Sequence, residues 1–215
     1  MHVLISVINN RDRLVLALVN KWKVPAVNEQ LEHRNAEESR AELVMEAFLT
    51  DGKIKVSSPE GIEGLSLRGY GVSENGELVL SFYETMYLIS RELLEVKDGE
   101  TGERITFRDV LKHFQSQDAN AWVKYLIYRD LRSRGYVVRE GFGLNIDFRV
   151  YKRGDYGKET AKYMIFGMQE GQPVTLAALA QAQMHVQGLK KRLVLAVVNR
   201  RGEVVYYSLS QLTLK

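Results

Sequence analysis

The sequence contains no cysteine among its 215 residues, and this absence excludes two kinds of architecture. Neither a disulfide framework nor a thiolate metal site can form, which favours a protein of a reducing compartment. No stretch reaches the roughly 20 consecutive apolar residues that a membrane-spanning helix requires. The N-terminus also lacks the pattern of a secretory signal peptide. We therefore expect a cytoplasmic protein that does not enter a membrane.

Net charge is also low, at +3, but the isoelectric point is near 9.0. Lysine and arginine cluster after residue 120. A basic face of this kind binds polyanions, because each neutralised phosphate releases counterions. An ordinary solvated surface has the same composition. Charge alone therefore leaves both interpretations open.

The order of sequence patterns predicts two domains of the α/β (α+β) class and an N-terminal extension. The polar run at 115–120 favours a domain boundary. We predict an extension at 1–41, a small mixed α/β domain at 42–116, and a C-terminal domain at 117–215 whose mixed sheet is flanked by helices. Within 42–116 the patterns predict a helix end at 41–49, strands at 53–56 and 78–81, and helices at 82–93 and 107–114.

The stretch 119–151 combines a basic amphipathic helix with two strands. Apolar and basic residues alternate at helical spacing up to Arg134, and Gly135 stands where a left-handed cap ends a helix. Strands follow at 136–138 and 146–151, separated by a glycine-containing turn. Further on, the patterns predict a strand at 163–166, a helix from about 175 and a terminal strand pair.

One eight-residue segment occurs almost twice. Residues 13–20, RLVLALVN, match 192–199, RLVLAVVN, at every position except Leu18 and Val197. The match is explained either by convergence on a buried strand, since such strands use few residue types, or by a remnant of a preceding copy of the C-terminal domain. The remnant hypothesis predicts that 13–20 form a strand that pairs or packs as 192–199 does.

Three separated segments resemble the catalytic domain of the archaeal tRNA-splicing endonucleases: YRDLRSRGY at 128–136, DFRVY at 147–151 and KKRLVLAVV at 190–198. The segment LSFYETMYLISRELLEV at 80–96 resembles the N-terminal domain of the same family. The resemblance implies removal of introns from precursor tRNA by attack of a 2′-hydroxyl, a lyase-type cleavage that leaves a 2′,3′-cyclic phosphate and a 5′-hydroxyl. It implies no metal and no other cofactor.

The resemblance also implies a catalytic set of tyrosine, histidine and lysine. The tyrosine corresponds to Tyr151 and the lysine to Lys191, with Lys190 as the neighbouring alternative. The histidine position is occupied by Thr160. A hydroxyl group has no pKa near neutrality and is a poor proton donor, and loss of a positioned acid costs roughly 10²–10⁴ in rate. The sequence has four histidines, none near 160: His2, His33, His113 and His185.

RNA contacts are predicted around this set. Family members carry an arginine seven residues before the lysine, where this chain has Met184, which brings no charge. The predicted RNA-binding residues are Lys152, Arg153, Met184, Lys190 and Arg192.

Each retained residue also has an ordinary structural interpretation. Tyr151 is then a packing residue at a strand end, and the two lysines are solvated charges beside a strand. Asp147 is then a structural aspartate and not a metal ligand.

We therefore predict a structural, non-catalytic subunit that supports a separate catalytic subunit on precursor tRNA. Two alternatives stay open: an active endonuclease in which Tyr151 and Lys191 work with water or a displaced acid, and an RNA-binding module without cleavage. The C-terminal strand is predicted to pair protomers into a dimer or a heterotetramer. The loop 199–203 is basic here, although the family's docking loop is usually acidic.

Overall fold

The computed structural model describes residues 3–9, 13–21, 44–143 and 145–212. In chain order, its elements are β1 (Val3–Asn9), β2 (Arg13–Lys21), β3 (Met45–Thr50), β4 (Lys53–Val56), α1 (Pro59–Leu67), β5 (Val72–Glu74), β6 (Glu77–Leu80), α2 (Phe82–Ser90), β7 (Leu94–Asp98), β8 (Arg104–Ile105), α3 (Phe107–Gln115), α4 (Ala121–Ser133), β9 (Val137–Glu140), β10 (Phe148–Tyr151), β11 (Tyr163–Gln169), α5 (Leu176–Gly188), β12 (Arg192–Val198) and β13 (Val204–Leu212).

These elements form two compact units. A split unit combines Met1–Pro25 with Tyr136–Lys215, and a continuous unit comprises Ala26–Gly135. The predicted class, mixed sheets flanked by helices, is confirmed. The boundary between 116 and 117 stays a prediction about sequence domains. In the structure the continuous unit extends to Gly135, because α4 packs against α2 and α3.

The continuous unit contains a six-stranded sheet in the order β5-β6-β4-β3-β7-β8, in which only β3 and β7 run parallel. Its tight hairpins are set by sequence: Asp51-Gly52 and Asn75-Gly76 adopt positive φ at both turn positions, as type I′ turns require. Capping boxes begin two helices, Ser81 with Glu84 at α2 and Thr106 with Asp109 at α3. The strands and helices predicted from residue 53 onward form in the structure, although the helix predicted at 82–93 ends at Ser90.

The helix end predicted at 41–49 is wrong for the described residues. Residues 45–50 form β3, which pairs with β4 on one side and β7 on the other. Pairing with β4 across the Asp51-Gly52 turn and with the distant β7 decides this segment, and local helix propensity does not.

The split unit contains a seven-stranded sheet in the order β1-β2-β13-β12-β11-β10-β9. Only β11 and β12 run parallel, and α5 connects them. The helix contributes Ala182 and Val186 to a core that is otherwise supplied mainly by β11 and β12; its buried members are Ile146, Met164, Phe166, Ala182, Val186, Leu193 and Leu195. This α5–sheet packing fixes the ends of β10, β11 and β12, where the site described below lies.

The repeated segment forms a strand in both copies. Strand β2 pairs antiparallel with one edge of β13, and β12 pairs antiparallel with its other edge. The registers differ: Ser208 lies opposite Val194 in β12 but opposite Asn20 in β2, whereas the residue equivalent to Val194 in the repeat is Val15. The structure therefore meets the condition that 13–20 form a strand, and the remnant hypothesis stays a prediction.

No helix among the described residues combines the length and the apolar character needed to cross a bilayer.

Candidate functional site

An open cleft of about 280 Å³ lies in the split unit, where the ends of β10, β11 and β12 meet. Two cations, one carboxylate and two hydroxyl groups face it beside an apolar floor. The lining residues are Phe142, Arg149, Tyr151, Glu159, Thr160, Ala161, Met164, Leu189 and Lys191. Charged groups and apolar surface share one small site, a composition typical of ligand-binding clefts.

Strand β10 supplies Arg149 and Tyr151 because its side chains alternate between two faces. Phe148 and Val150 are fully buried on the opposite face, in the core. Tyr151 is half-buried, and its ring packs edge-on against Tyr156, with centroids 5.2 Å apart and planes at 85°. That contact orients the phenol at the cleft wall.

Thr160 reaches the cleft from the loop that connects β10 to β11. The loop is shaped by backbone hydrogen bonds, in which the amides of Lys158 and Glu159 donate to the carbonyl of Asp155 at 3.0 and 2.8 Å. Ala161 is buried and anchors the loop's end. Thr160 itself is exposed and lines the cleft.

Lys191 is positioned by the end of α5. Lys190 adopts left-handed φ of 56°, its amide donates to the carbonyl of Gln187 at 2.9 Å, and the Lys191 amide donates to Val186 at 3.0 Å. This pair of hydrogen bonds is a Schellman cap. It holds Lys191 directly before β12, where its Nζ donates a hydrogen bond to Thr160 Oγ1. Three residues separated by up to 40 positions in sequence, Tyr151, Thr160 and Lys191, thus line one cleft.

None of the nine described residues that line the cleft is a histidine. His185 lies on α5, with its ring edge-on to Phe142 at a centroid distance of 6.3 Å, and is not among the lining residues. His113 belongs to the continuous unit, and His2 and His33 lie outside the described residues.

The predicted RNA-binding residues are not among the residues that line the cleft, and four of them are sequence neighbours of Tyr151 or Lys191. Lys152 and Arg153 follow Tyr151, Lys190 and Arg192 flank Lys191, and all four are exposed. Met184 on α5 is 62% exposed. Their roles stay predictions.

Sequence reasoning missed Phe142, Arg149 and Glu159. The signal for Arg149 was available, since it stands two residues before Tyr151 in a strand and therefore on the same face. Phe142 carried no such signal. It lies in a turn whose path depends on Gly141, where a Cβ atom would approach the Ile146 carbonyl oxygen to 2.1 Å.

Asp147 has a structural explanation. Its Oδ2 accepts a hydrogen bond of 2.7 Å from the Gly167 amide, which ties the start of β10 to β11. Within the described ranges, no group of three or more histidine or acidic residues is arranged to hold a metal ion.

Comparison with known proteins gives two family matches. Residues 45–111 match the tRNA intron endonuclease N-terminal domain, and residues 121–206 match the tRNA intron endonuclease catalytic C-terminal domain. The chain is 31% identical over 168 residues to the tRNA-splicing endonuclease of Methanococcus maripaludis, covering 78% of this chain and 94% of that protein. It is 33% identical over 165 residues to the tRNA-splicing endonuclease of Pyrococcus furiosus, covering 76% and 94%.

Proposed function

We propose that this chain, which belongs to the tRNA intron endonuclease family, is a subunit that supports intron removal from precursor tRNA without a complete catalytic set of its own. The observation that carries the proposal is the contact between Lys191 and Thr160 in the cleft that Tyr151 also lines. Two of the three expected groups are in place, and the third position holds an alcohol.

The chemistry explains why the missing group matters. Cleavage by a 2′-hydroxyl needs a group that takes its proton, a cation beside the phosphorane, and an acid that protonates the departing 5′-oxygen. In a complete set the lysine position, here Lys191, supplies the cation, and the tyrosine position, here Tyr151, supplies the proton acceptor. Thr160 cannot supply the proton, because an alcohol does not ionise near neutral pH. The chain therefore depends on a separate catalytic subunit, and the exposed basic residues beside the cleft contact the RNA.

The test is cleavage of an intron-containing precursor tRNA by the purified full-length chain, alone and with a histidine-bearing relative from the same organism. The proposal expects no cleavage alone, cleavage by the mixture, and co-purification of the two chains as a heterotetramer. Cleavage by the chain alone that Tyr151→Phe abolishes would support the active-enzyme alternative. A homodimer that binds the RNA but never increases cleavage would support the RNA-binding module. The compartment proposed for this role is the cytoplasm, as predicted from the absence of cysteine.

We also propose that residues 1–41 include a remnant of a preceding copy of the C-terminal domain. The support is that both copies of the repeat are strands and that both pair with β13. Along residues 207–212, β2 occupies the edge of β13, so pairing with a partner subunit through that edge requires β2 to leave it.

The chain has no cysteine, so a paired Asn20→Cys and Ser208→Cys variant tests this arrangement directly. Oxidation to a disulfide-linked monomer supports pairing within one chain. A disulfide-linked dimer shows instead that the strand is supplied by a second chain.

A further inference from the structure

Phe142 is the most exposed aromatic ring that lines the cleft, at 46%. Two backbone hydrogen bonds lie beside it: the Gly141 amide donates to the Asp147 carbonyl at 2.8 Å, and the Ile146 amide donates to the Gly143 carbonyl at 3.0 Å. Gly143 adopts φ of 68°, a conformation that glycine reaches without strain. These contacts position the described backbone next to Phe142.

Two side chains support the ring. The Arg149 guanidinium carbon lies 5.6 Å from the Phe142 centroid, within the range of a cation–π contact. The His185 ring approaches edge-on at 86°. Arg149 Nε is buried and has no hydrogen-bond partner among the described residues.

The surroundings identify the kind of ligand. Arg149 and Lys191 give the cleft two cations against the single carboxylate of Glu159, and Ala161, Met164 and Leu189 make its floor apolar. An apolar peptide would leave both cations unpaired. A nucleotide matches both the cations and the aromatic surface of the cleft, because its phosphate pairs with the cations and its base stacks on an aromatic face.

We propose that Phe142 is a base-stacking residue, which together with Arg149 holds an unpaired nucleobase of the RNA next to the phosphate that faces Lys191. This inference rests on the proposed function, since it names how the same cleft contacts RNA. The proposed base contact is made by Phe142 and not by the predicted Met184. Phe142 offers the base an aromatic face, and the Arg149 guanidinium lies beside that ring. Stacking of one base on an aromatic side chain corresponds to about 5- to 150-fold in affinity.

The experiment uses the full-length chain and a bulged RNA duplex with 2-aminopurine in the bulge, because the fluorescence of this base is quenched when it stacks. The variants are Phe142→Trp, which keeps an aromatic face, and Phe142→Leu, which keeps an apolar side chain without one. Wild type and Phe142→Trp are expected to quench the probe and bind with similar affinity. Phe142→Leu is expected to lose the quenching and about 10-fold in affinity. Thermal unfolding of each variant confirms that it is folded.

Equal quenching and affinity in Phe142→Leu would overturn the base-stacking role and leave the proposed function standing. If fluorescence anisotropy shows that no form of the chain binds the RNA, both the stacking role and the RNA contact of the proposed function fail. The two failures are thus distinguishable.

Discussion

Each unit of this protein contains an arginine that lies over an aromatic ring, and two such pairs, one from each unit, differ in the exposure of the ring and in the hydrogen bonds of the guanidinium. In the continuous unit, Arg132 lies 3.9 Å from the centroid of Tyr70, a ring that is only 6% exposed. Both of its terminal nitrogens donate to the Arg68 carbonyl at 3.2 Å. In the split unit, Arg149 lies 5.6 Å from the exposed Phe142 and lines an open cleft.

The difference shows how one residue pairing serves two purposes. Where the ring is buried and the guanidinium makes its hydrogen bonds within the protein, the pair stabilises the fold. Where the ring and the cation face an open cleft, the same pair is available to a ligand. Residue type alone therefore does not separate a structural arginine from a binding one, whereas the burial of the partner ring and the hydrogen bonds of the guanidinium do.

The largest expected effect separates the two arginines by stability. Arg132→Ala should lower the free energy of unfolding by about 3 kcal/mol, because it removes charged hydrogen bonds and a buried contact together. Arg149→Ala should lower it by less than about 1 kcal/mol. Urea denaturation of both variants measures this. Equal losses of unfolding free energy in the two variants would remove the distinction between a pair with a buried ring and a pair that lines an open cleft.

The stability of the continuous unit should also be sensitive to alkaline pH, because this unit contains a buried tyrosine, Tyr128. Tyr128 is fully buried, and burial raises its pKa well above the ordinary value. Above about pH 10 the phenol ionises in the unfolded chain but stays neutral in the native one, so the unfolded state binds fewer protons. Stability contributed by this group is thus full below pH 10 and falls above it, by up to about 1.4 kcal/mol per pH unit.

Tyr128→Phe should weaken that decline in the free energy of unfolding. At pH 8 the phenol is neutral in both states, so a difference there measures only the loss of the hydroxyl group. An unchanged slope above pH 10 in the variant would show that Tyr128 does not cause the alkaline instability.

The open pair should instead respond in RNA binding. Arg149→Gln removes the charge and keeps a similar length, and it should reduce the slope of log affinity against log salt concentration by about 1, as expected for one lost phosphate contact. Arg104→Gln is the matched control, because Arg104 is an exposed arginine of the continuous unit. The same change in slope for both variants would mean that Arg149 contributes only general charge.

The smallest expected effect concerns the backbone that positions the cleft lysine. Lys190 adopts a left-handed conformation that glycine reaches more easily. Lys190→Gly should therefore raise the free energy of unfolding by about 0.5 kcal/mol, after the entropy of glycine in the unfolded chain is included. Lys152→Gly, at an exposed position without positive φ, should lower it instead. A loss of stability in both would show that the left-handed backbone at 190 stores no strain.

Much of this architecture is readable from the sequence. The residue types of hairpin turns such as Asp51-Gly52 predict the turn conformation, and the helices with clear periodicity form close to their predicted bounds. The family, predicted from segments around DFRVY and KKRLVLAVV, is confirmed by the matches to both of its domains. Those segments also located Tyr151 and Lys191, which the fold brings to one cleft.

Other features depend on contacts between distant residues and were not readable. The Asp51-Gly52 turn is a local signal for the hairpin of β3 and β4, but the pairing of β3 with β7 joins residues that are distant in sequence. The partner of β2 is likewise set by the free edge of β13. Phe142 follows Gly141, whose backbone approaches the Ile146 carbonyl closely. The sequence of such a turn does not predict which cleft its side chains line.

The most direct test of the central claim is a single-turnover cleavage assay with precursor tRNA, comparing the full-length wild-type chain with Thr160→His. If the cleft lacks only its acid, the histidine variant should cleave at least about 100-fold faster than wild type and leave a 2′,3′-cyclic phosphate. The added histidine should be ineffective when Lys191→Ala is combined with it. Efficient cleavage by the wild-type chain alone, with no gain from Thr160→His, would contradict the account.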